Sequence, residues 1–337
     1  MDLTEFYGVP MAFVDPDEAL RTDWSAYRGR VDVVRVDPAP EDRWPELRAA
    51  GFVPKPKMVT WMAGTAGDDG SFLAALGRKE RQTIRSARRA LEAEGLKIEM
   101  RPVDEWLMAE FLALYRQRVA EMKHGWAVAD EQRDAVLSDA KAYFAVCVYR
   151  GAALNGCALV RLDAETGRAR IRFSAVDSRR RQSSLARVLY LEAIRVAREC
   201  GCSLVSLGTD PNLFGHIAKP GLLGFKGRLG FSARPAHLVD PGAGNDQADL
   251  LIGLSQLTDP AMVLGYIDET PTDRLRLEVF TWETGLDLRP YEASFLAGCR
   301  VHAPGQGLEA LQTPESFGSQ QHHPAAARPQ GPGGARR

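Results

Sequence analysis

The sequence predicts a mixed α/β (α+β) protein, and three observations carry that prediction. Strand-like apolar runs and stretches with helical apolar spacing follow one another along the chain. Three strand-like runs, Tyr143 to Tyr149, Ala153 to Leu162 and Arg168 to Val176, stand in direct succession. Immediately after them Leu185, Val188, Leu189, Ala193, Val196, Ala197 and Cys200 recur at three- and four-residue steps, the mark of an amphipathic helix. A chain of 337 residues that is 45% hydrophobic can bury one or two sizeable cores.

Up to about Gly70, short apolar runs at Met11 to Val14 and Val31 to Val36 are separated by Asp, Pro and Gly, which predicts short strands with a helix around Trp44 to Ala50. From Ser71 the period lengthens. Ser71 is placed to cap a helix from Phe72, and a second helix runs from about Lys79 to Glu94, with Gly95 as its stop. Leu96 to Met100 reads as a strand, and Asp104 opens a helix bearing Trp106, Phe111, Leu114 and Tyr115. Arg150-Gly151 and Thr166-Gly167 turn the next three strands into an antiparallel meander. In the last of these, Ala169, Ile171, Phe173 and Ala175 alternate with polar residues, so one face meets the core. Gly201 ends the long helix, and Ser203 to Leu207 is a strand running into Gly208-Thr209-Asp210. Pro241-Gly242-Ala243-Gly244 reads as a linker before a modest α+β extension over 236–302. In 303–337 Pro, Gly, Gln and Ala dominate, and so little apolar surface cannot offset chain entropy, which predicts a disordered tail.

Charge and cysteine content narrow the function classes. Net charge is -1, from 43 Lys+Arg and 44 Asp+Glu, so contact with nucleic acid must come from local patches. Cys147, Cys157, Cys200, Cys202 and Cys299 read as reduced core thiols of a cytoplasmic protein, and Cys200-Gly201-Cys202 has neither zinc nor redox spacing. No metal site is expected. The start of the chain lacks a secretory pattern and no apolar stretch approaches the ~20 residues of a membrane span, so no membrane contact is expected.

The strongest local charge lies on the predicted helix from Lys79. Arg78, Arg81, Arg85, Arg88 and Arg89 fall on one stripe while Ile84, Ala87 and Leu91 form another, and only Glu80 interrupts six basic residues. A solvated charged face is the plain account of such a stripe. Near-aligned guanidiniums also repel one another unless anions approach, and phosphates are the usual anions, so Lys79, Arg81, Arg85, Arg88 and Arg89 are candidates for a donor's phosphates or a tRNA.

Two blocks of sequence resemble a known family. The first comprises Gly51-Phe52, Met58 to Trp61, Phe72 to Leu76, the basic run Arg78 to Arg89, and Glu94-Gly95. The second runs from Arg168 to Phe231 and closes with Gly-Leu, Phe-Lys and Gly-Phe elements. Their order and separation resemble the FemAB-like branch of the GNAT superfamily of acyltransferases. The resemblance implies a twisted mixed sheet with flanking helices in two GNAT-like halves, 1–100 with the basic helix at 79–94, and 101–235 holding the catalytic part.

The family's phosphate loop, Arg/Gln-x-x-Gly-x-Gly/Ala, aligns with Arg181, Ser184 and Ala186. Serine at the middle position adds a hydroxyl but also a Cβ that crowds a phosphate. Arg179, Arg180, Arg181, Ser183, Ser184, Ala186 and Arg187 are therefore the expected donor-binding group, and their charge suits an RNA-borne donor, with arginines decorating a surface turn as the plain alternative. Aminoacyl-tRNA is slightly favoured over acyl-CoA as co-substrate, and the acceptor is a small-molecule or peptide amine.

Amide formation by such a fold is direct attack of an amine on an ester or thioester, which needs a base and a stabilised oxyanion. Lys226 matches the lysine of the family's Phe-Lys element and is expected to neutralise developing negative charge, with a structural ion pair as the alternative. Asp210, directly after a predicted strand, is a candidate to orient the amine or a turn residue before Pro211. Histidine is the usual general base near neutral pH, so His216 is a candidate for that role, with a solvated loop residue as the alternative. A GNAT-like module that only binds RNA or protein is the alternative from another class, and it would have no need to bring Lys226 and Asp210 together.

Overall fold

The computed structural model describes residues 1–122, 125, 127–177 and 184–304. The expected tail, apart from residues 303 and 304, lies outside the described residues. In chain order the elements are β1 (Asp2–Phe6), β2 (Val9–Val14), α1 (Pro16–Arg21), β3 (Val33–Val36), α2 (Trp44–Ala49), β4 (Val53–Pro56), β5 (Met58–Gly64), α3 (Asp69–Ala75), α4 (Arg78–Ala93) and β6 (Lys97–Pro102). Then come α5 (Glu105–Ala120), α6 (Val128–Glu131), α7 (Arg133–Ser138), β7 (Tyr143–Arg150), β8 (Ala153–Asp163), β9 (Arg168–Val176) and α8 (Leu185–Glu199). The chain finishes with β10 (Leu204–Pro211), α9 (Pro220–Arg228), β11 (Ser232–Pro235), β12 (Asp246–Leu251), β13 (Ala261–Tyr266), β14 (Leu275–Phe280) and β15 (Cys299–His302). This is a mixed α/β fold.

Local chemistry explains most of these boundaries. Asp104 caps α5 by accepting from the Leu107 amide at 2.8 Å. The cap of α3 is Asp68, not Ser71: its carboxylate accepts the Ser71 amide at 2.7 Å, so the helix begins three residues earlier than the serine suggested. α4 buries Glu80, Ile84, Ala87 and Leu91, a stripe at i, i+4, i+7 and i+11, against α8. Cys147, Cys157 and Cys202 are buried and Cys299 partly so, but Cys200 is exposed, which corrects the expectation that all five are core thiols.

Pairing between strands departs from the expected succession of segments. The larger sheet has seven strands in the order β11-β5-β10-β9-β8-β7-β6, so β5 from the first hundred residues lies inside the sheet built by the later ones. A second sheet runs β1-β2-β3-β12-β4, where β12 from the predicted extension inserts between two N-terminal strands. Segment 1–100 therefore shares one sheet with 101–235 and another with 236–302. A three-stranded sheet, β13-β14-β15, completes the fold, and one hydrophobic core takes residues from all three sheets.

The five-stranded sheet also buries charge. Arg35 forks onto Asp249 with both bonds at 2.7 Å, and the Lys55 ammonium lies 3.2 Å from Asp249 and 3.1 Å from the Gln247 side-chain oxygen. Burial pushes the Lys55 pKa down to about 8, against the opposing pull of Asp249.

Candidate active site

The site forms where the seven-stranded sheet comes apart. β9 and β10 run parallel, yet they pair only between Arg168–Arg170 and Leu204–Ser206. Past Ser206, β10 bulges and continues along β5, with Gly208 at φ +79°, a conformation that glycine adopts without steric strain. The far half of β9 is thus freed from β10. Its last residues, Ser174, Ala175 and Val176, line a cavity of about 310 Å³. Tyr115, Arg118, Val119 and Met122 from the α5 side, Ser184 to Arg187 at the start of α8, and Phe225 of α9 complete its walls.

Ser184 joins this cavity to a larger groove. It is the N-cap of α8 and sits in the left-handed region at φ 57°, uncommon for a residue with a Cβ. The groove, about 1040 Å³, is lined by α4 from Arg78 to Ala90 and also by Ser184. The Leu185 and Ala186 amides precede the first bond of α8, which runs from the Arg187 amide to the Ser184 carbonyl at 2.9 Å, and no acidic residue stands in its first turn, so positive potential is concentrated where groove and cavity meet. The basic helix and the start of α8 therefore share a surface. Ala186 sits on the cavity wall beside Ser184, whereas Arg179, Arg180, Arg181 and Ser183 lie outside the described residues.

The basic residues of the stripe divide by partner. Arg81 donates to the carbonyls of Ala74 at 3.1 Å and Leu76 at 2.5 Å, which closes the end of α3. Arg88 reaches Glu192 of α8 at 3.6 Å, and Arg89 lies 3.5 Å from the Ser86 hydroxyl. Arg78, Lys79 and Arg85 line the groove with no ion pair among the described residues. Arg187 is already engaged: its Nε donates to Glu80 and its guanidinium lies 5.0 Å from the Phe225 ring centroid. The reason is Glu80, which rides on the buried stripe of α4 and takes both Arg187 and, at 3.8 Å, Arg228 as counter-charges.

Lys226 and Asp210 come together at 2.5 Å. The lysine is 6% exposed, and its ammonium lies 5.3 Å from the Trp61 ring centroid, while Trp61 Nε1 donates to the same Asp210 oxygen at 2.9 Å. Burial lowers the Lys226 pKa and Asp210 opposes that shift. The ammonium thus belongs to a buried ion pair, with Phe225, its neighbour in sequence, at the cavity wall. His216 is elsewhere. It is buried, with its Nε2 against the Tyr7 carbonyl in the β1–β2 turn, and its neighbours Leu213 and Ile217 pack on the core beneath the five-stranded sheet.

Several site residues escaped sequence reasoning. Tyr190 shares a 2.8 Å hydroxyl bond with Ser174 and packs edge-on against Phe225 at 5.9 Å, and burial raises its pKa, with the Asp210 charge adding to the shift. Nothing in the local pattern of α8 separates it from an ordinary half-buried tyrosine. Glu80 did leave a signal, since it falls in phase with Ile84, Ala87 and Leu91. A carboxylate on an apolar stripe calls for a buried cation.

Residues 100–218 match the model described as the Acetyltransferase (GNAT) family. That stretch contains the parted strands, α8 and every named cavity wall except Phe225, and it is a GNAT-superfamily unit of the acyltransferase class. Among solved structures, FemX is similar at 13% identity, with 71% of this chain and 80% of that one covered and a TM-score of 0.43. L-PGS from Bacillus licheniformis is 12% identical over 64% of this chain and 67% of its own, TM-score 0.39. A tandem GNAT protein from the clavulanic acid biosynthesis pathway is 13% identical over 68% and 67%, TM-score 0.35. No curated protein matches the chain. Among the described residues no helix is long and apolar enough to cross a membrane, and no cluster of His, Cys, Asp and Glu is placed to hold a metal ion.

Proposed function

We propose that this protein is an N-acyltransferase that takes an aminoacyl group from tRNA and joins it to an amine. The observation that carries the reading is the continuity at Ser184 between a long basic groove and the cavity beside the parted strands. The groove follows α4 from Arg78 to Ala90, about 18 Å of helix at 1.5 Å per residue. That length accommodates several phosphates of a polynucleotide strand at roughly 3.4 Å of rise each. An acyl-CoA donor, the second reading, would place its pyrophosphate at the start of α8 and leave the far end of the groove empty.

In the proposed reaction the acceptor nitrogen attacks the ester carbonyl, the C–N bond forms, and the C–O bond to the ribose breaks. The departing ribose oxygen takes up a proton and the amine gives one up, so the exchange balances without a redox or metal cofactor. The first amides of α8 hold the anionic carrier, and the cavity encloses the reacting carbonyl and excludes water. Lys226 and Asp210 act beneath this site as a charge pair that fixes α9, and hence Phe225, against the cavity.

The deciding experiment supplies purified protein and an amine acceptor with either charged tRNA or acyl-CoA. Transfer of label from aminoacyl-tRNA, abolished by ribonuclease, is the expected result. Thiol release from acyl-CoA with no transfer from tRNA would overturn the choice of donor and leave the acyltransferase class standing.

A further inference from the structure

Away from the groove and cavity, an excess of positive charge gathers on one face of the three-stranded sheet. Arg276 and Glu278 are two apart on β14, and Arg300 of β15 is the register partner of Glu278, so all three project on the same side. Arg48 at the end of α2 reaches this region, donating to the carbonyls of Tyr266 and Asp268 at 2.9 and 2.7 Å. Among the described residues Glu278 is the carboxylate in direct contact with the group, and both its oxygens are taken. Arg276 binds Glu278 Oε1 at 2.6 Å, and His302 sits 2.7 Å from Oε2.

Among the described residues the two remaining guanidiniums have no carboxylate within ion-pair distance. Among the described residues Arg48 bonds neutral carbonyls alone, and the Nε atoms of Arg48 and Arg300 are buried without an acceptor. Burial and the neighbouring Arg276 push the pKa of both downward against Glu278, and on Arg48 the Arg300 charge adds to the effect while Glu269 opposes it. Arginine does not relieve such crowding by losing its proton, because its pKa stays above the physiological range. A buried N–H without an acceptor is destabilising, and more so on a charged group. Arg48 and Arg300 are only partly buried, so an incoming oxyanion can reach these side chains and supply the missing counter-charge.

We propose that Arg48, Arg276 and Arg300 form a second anion site, specific for a phosphate group and separate from the α4 groove. Two sources present that chemistry: a free phosphate or the backbone of a polynucleotide. Arg300 faces the anion, Arg48 flanks it, and Arg276 is held in place by Glu278. Gly265 lets the sheet close on this arrangement, since a Cβ there would lie 3.0 Å from Glu278 Cγ and 2.7 Å from Val53 Cγ1.

The test uses the full chain with Arg78, Lys79 and Arg85 changed to Glu, which removes the groove as a competing phosphate site. Inorganic phosphate is titrated at constant ionic strength, with binding read by calorimetry and by thermal shift against a chloride control. Saturable stabilisation is expected in this background, weakened at least about tenfold by adding Arg300→Gln, as fits the loss of a charge-assisted hydrogen bond. Arg48→Gln serves as the second variant should Arg300→Gln misfold. Absence of saturable binding, or binding unchanged in a folded Arg300→Gln or Arg48→Gln protein, would overturn the site. A parallel tRNA titration on the native groove identifies the source. Weaker tRNA binding in Arg300→Gln assigns the site to a polynucleotide, and loss of inorganic phosphate binding alone assigns it to a free phosphate. Neither arm depends on transfer activity, so the site stands or falls apart from the donor proposal.

Discussion

Glu80 is the residue whose removal most directly tests how the groove is attached to the cavity. Its side chain is 4% exposed and that of Arg187 16%, so the pair is close to fully buried. Breaking a buried pair by deleting one partner costs roughly 3–5 kcal/mol. In Glu80→Gln the amide oxygen still accepts a hydrogen bond, and the guanidinium keeps its place over Phe225, so the loss is reduced to about 2–3 kcal/mol. For a chain of this length that is a fall in Tm of about 4–6 °C, at roughly 2 °C per kcal/mol. Arg187→Met alone leaves Glu80 with Arg228 at 3.8 Å as its remaining partner. The double variant should therefore lose less than the sum of the singles, with a coupling of about 1.5–3 kcal/mol in urea denaturation at low and high salt. If the two single losses add within about 0.5 kcal/mol, the pair does not hold α4 to α8 and the reasoning fails.

Three further perturbations probe the remaining parts. Lys226→Met leaves Asp210 without its cation and should destabilise the fold by about 2–4 kcal/mol, while adding Asp210→Asn should restore most of that loss; no recovery would mean that the lysine acts through another contact. The groove residues to reverse are Arg78, Lys79 and Arg85, because Arg81 and Arg88 already have protein partners. Their change to Glu should flatten the slope of log affinity for tRNA against log salt by about 2, from three contacts at roughly 0.7 each, and an unchanged slope would count against the groove. Lys55 has a folded pKa of about 8 against about 10.4 unfolded, so between those values the unfolded chain holds a proton that the fold has lost. Stability should rise with pH there by up to about 1.4 kcal/mol per unit, and Lys55→Met should remove that component; identical pH profiles would refute it.

The strands and helices whose stabilising contacts close within a few residues were legible from the sequence. The sixteen-residue α4, the Asp104 cap, the meander from β7 to β9 and the long α8 each follow from periodicity and capping chemistry. The Gly221 to Gly230 segment was less so: its glycines suggest loop, yet Pro220 at the first helical position starts α9 and tertiary packing holds it.

By itself the sequence determined the class of fold, the basic face of α4 and the likeness of its Phe-Lys element to an acyltransferase. Tertiary structure alone decided where those charges point. Glu80 meets Arg187 across 107 positions, β12 enters a sheet more than 190 residues behind it, and Lys226 finds Asp210 under Trp61. His216, chosen for its titration range, was drawn to the Tyr7 carbonyl on another sheet. Local sequence sets dihedral preferences and the spacing of apolar faces. Which buried charge pairs with which depends on how those faces close on one another, because desolvation makes each buried ion take whatever counter-charge the assembled fold brings within reach.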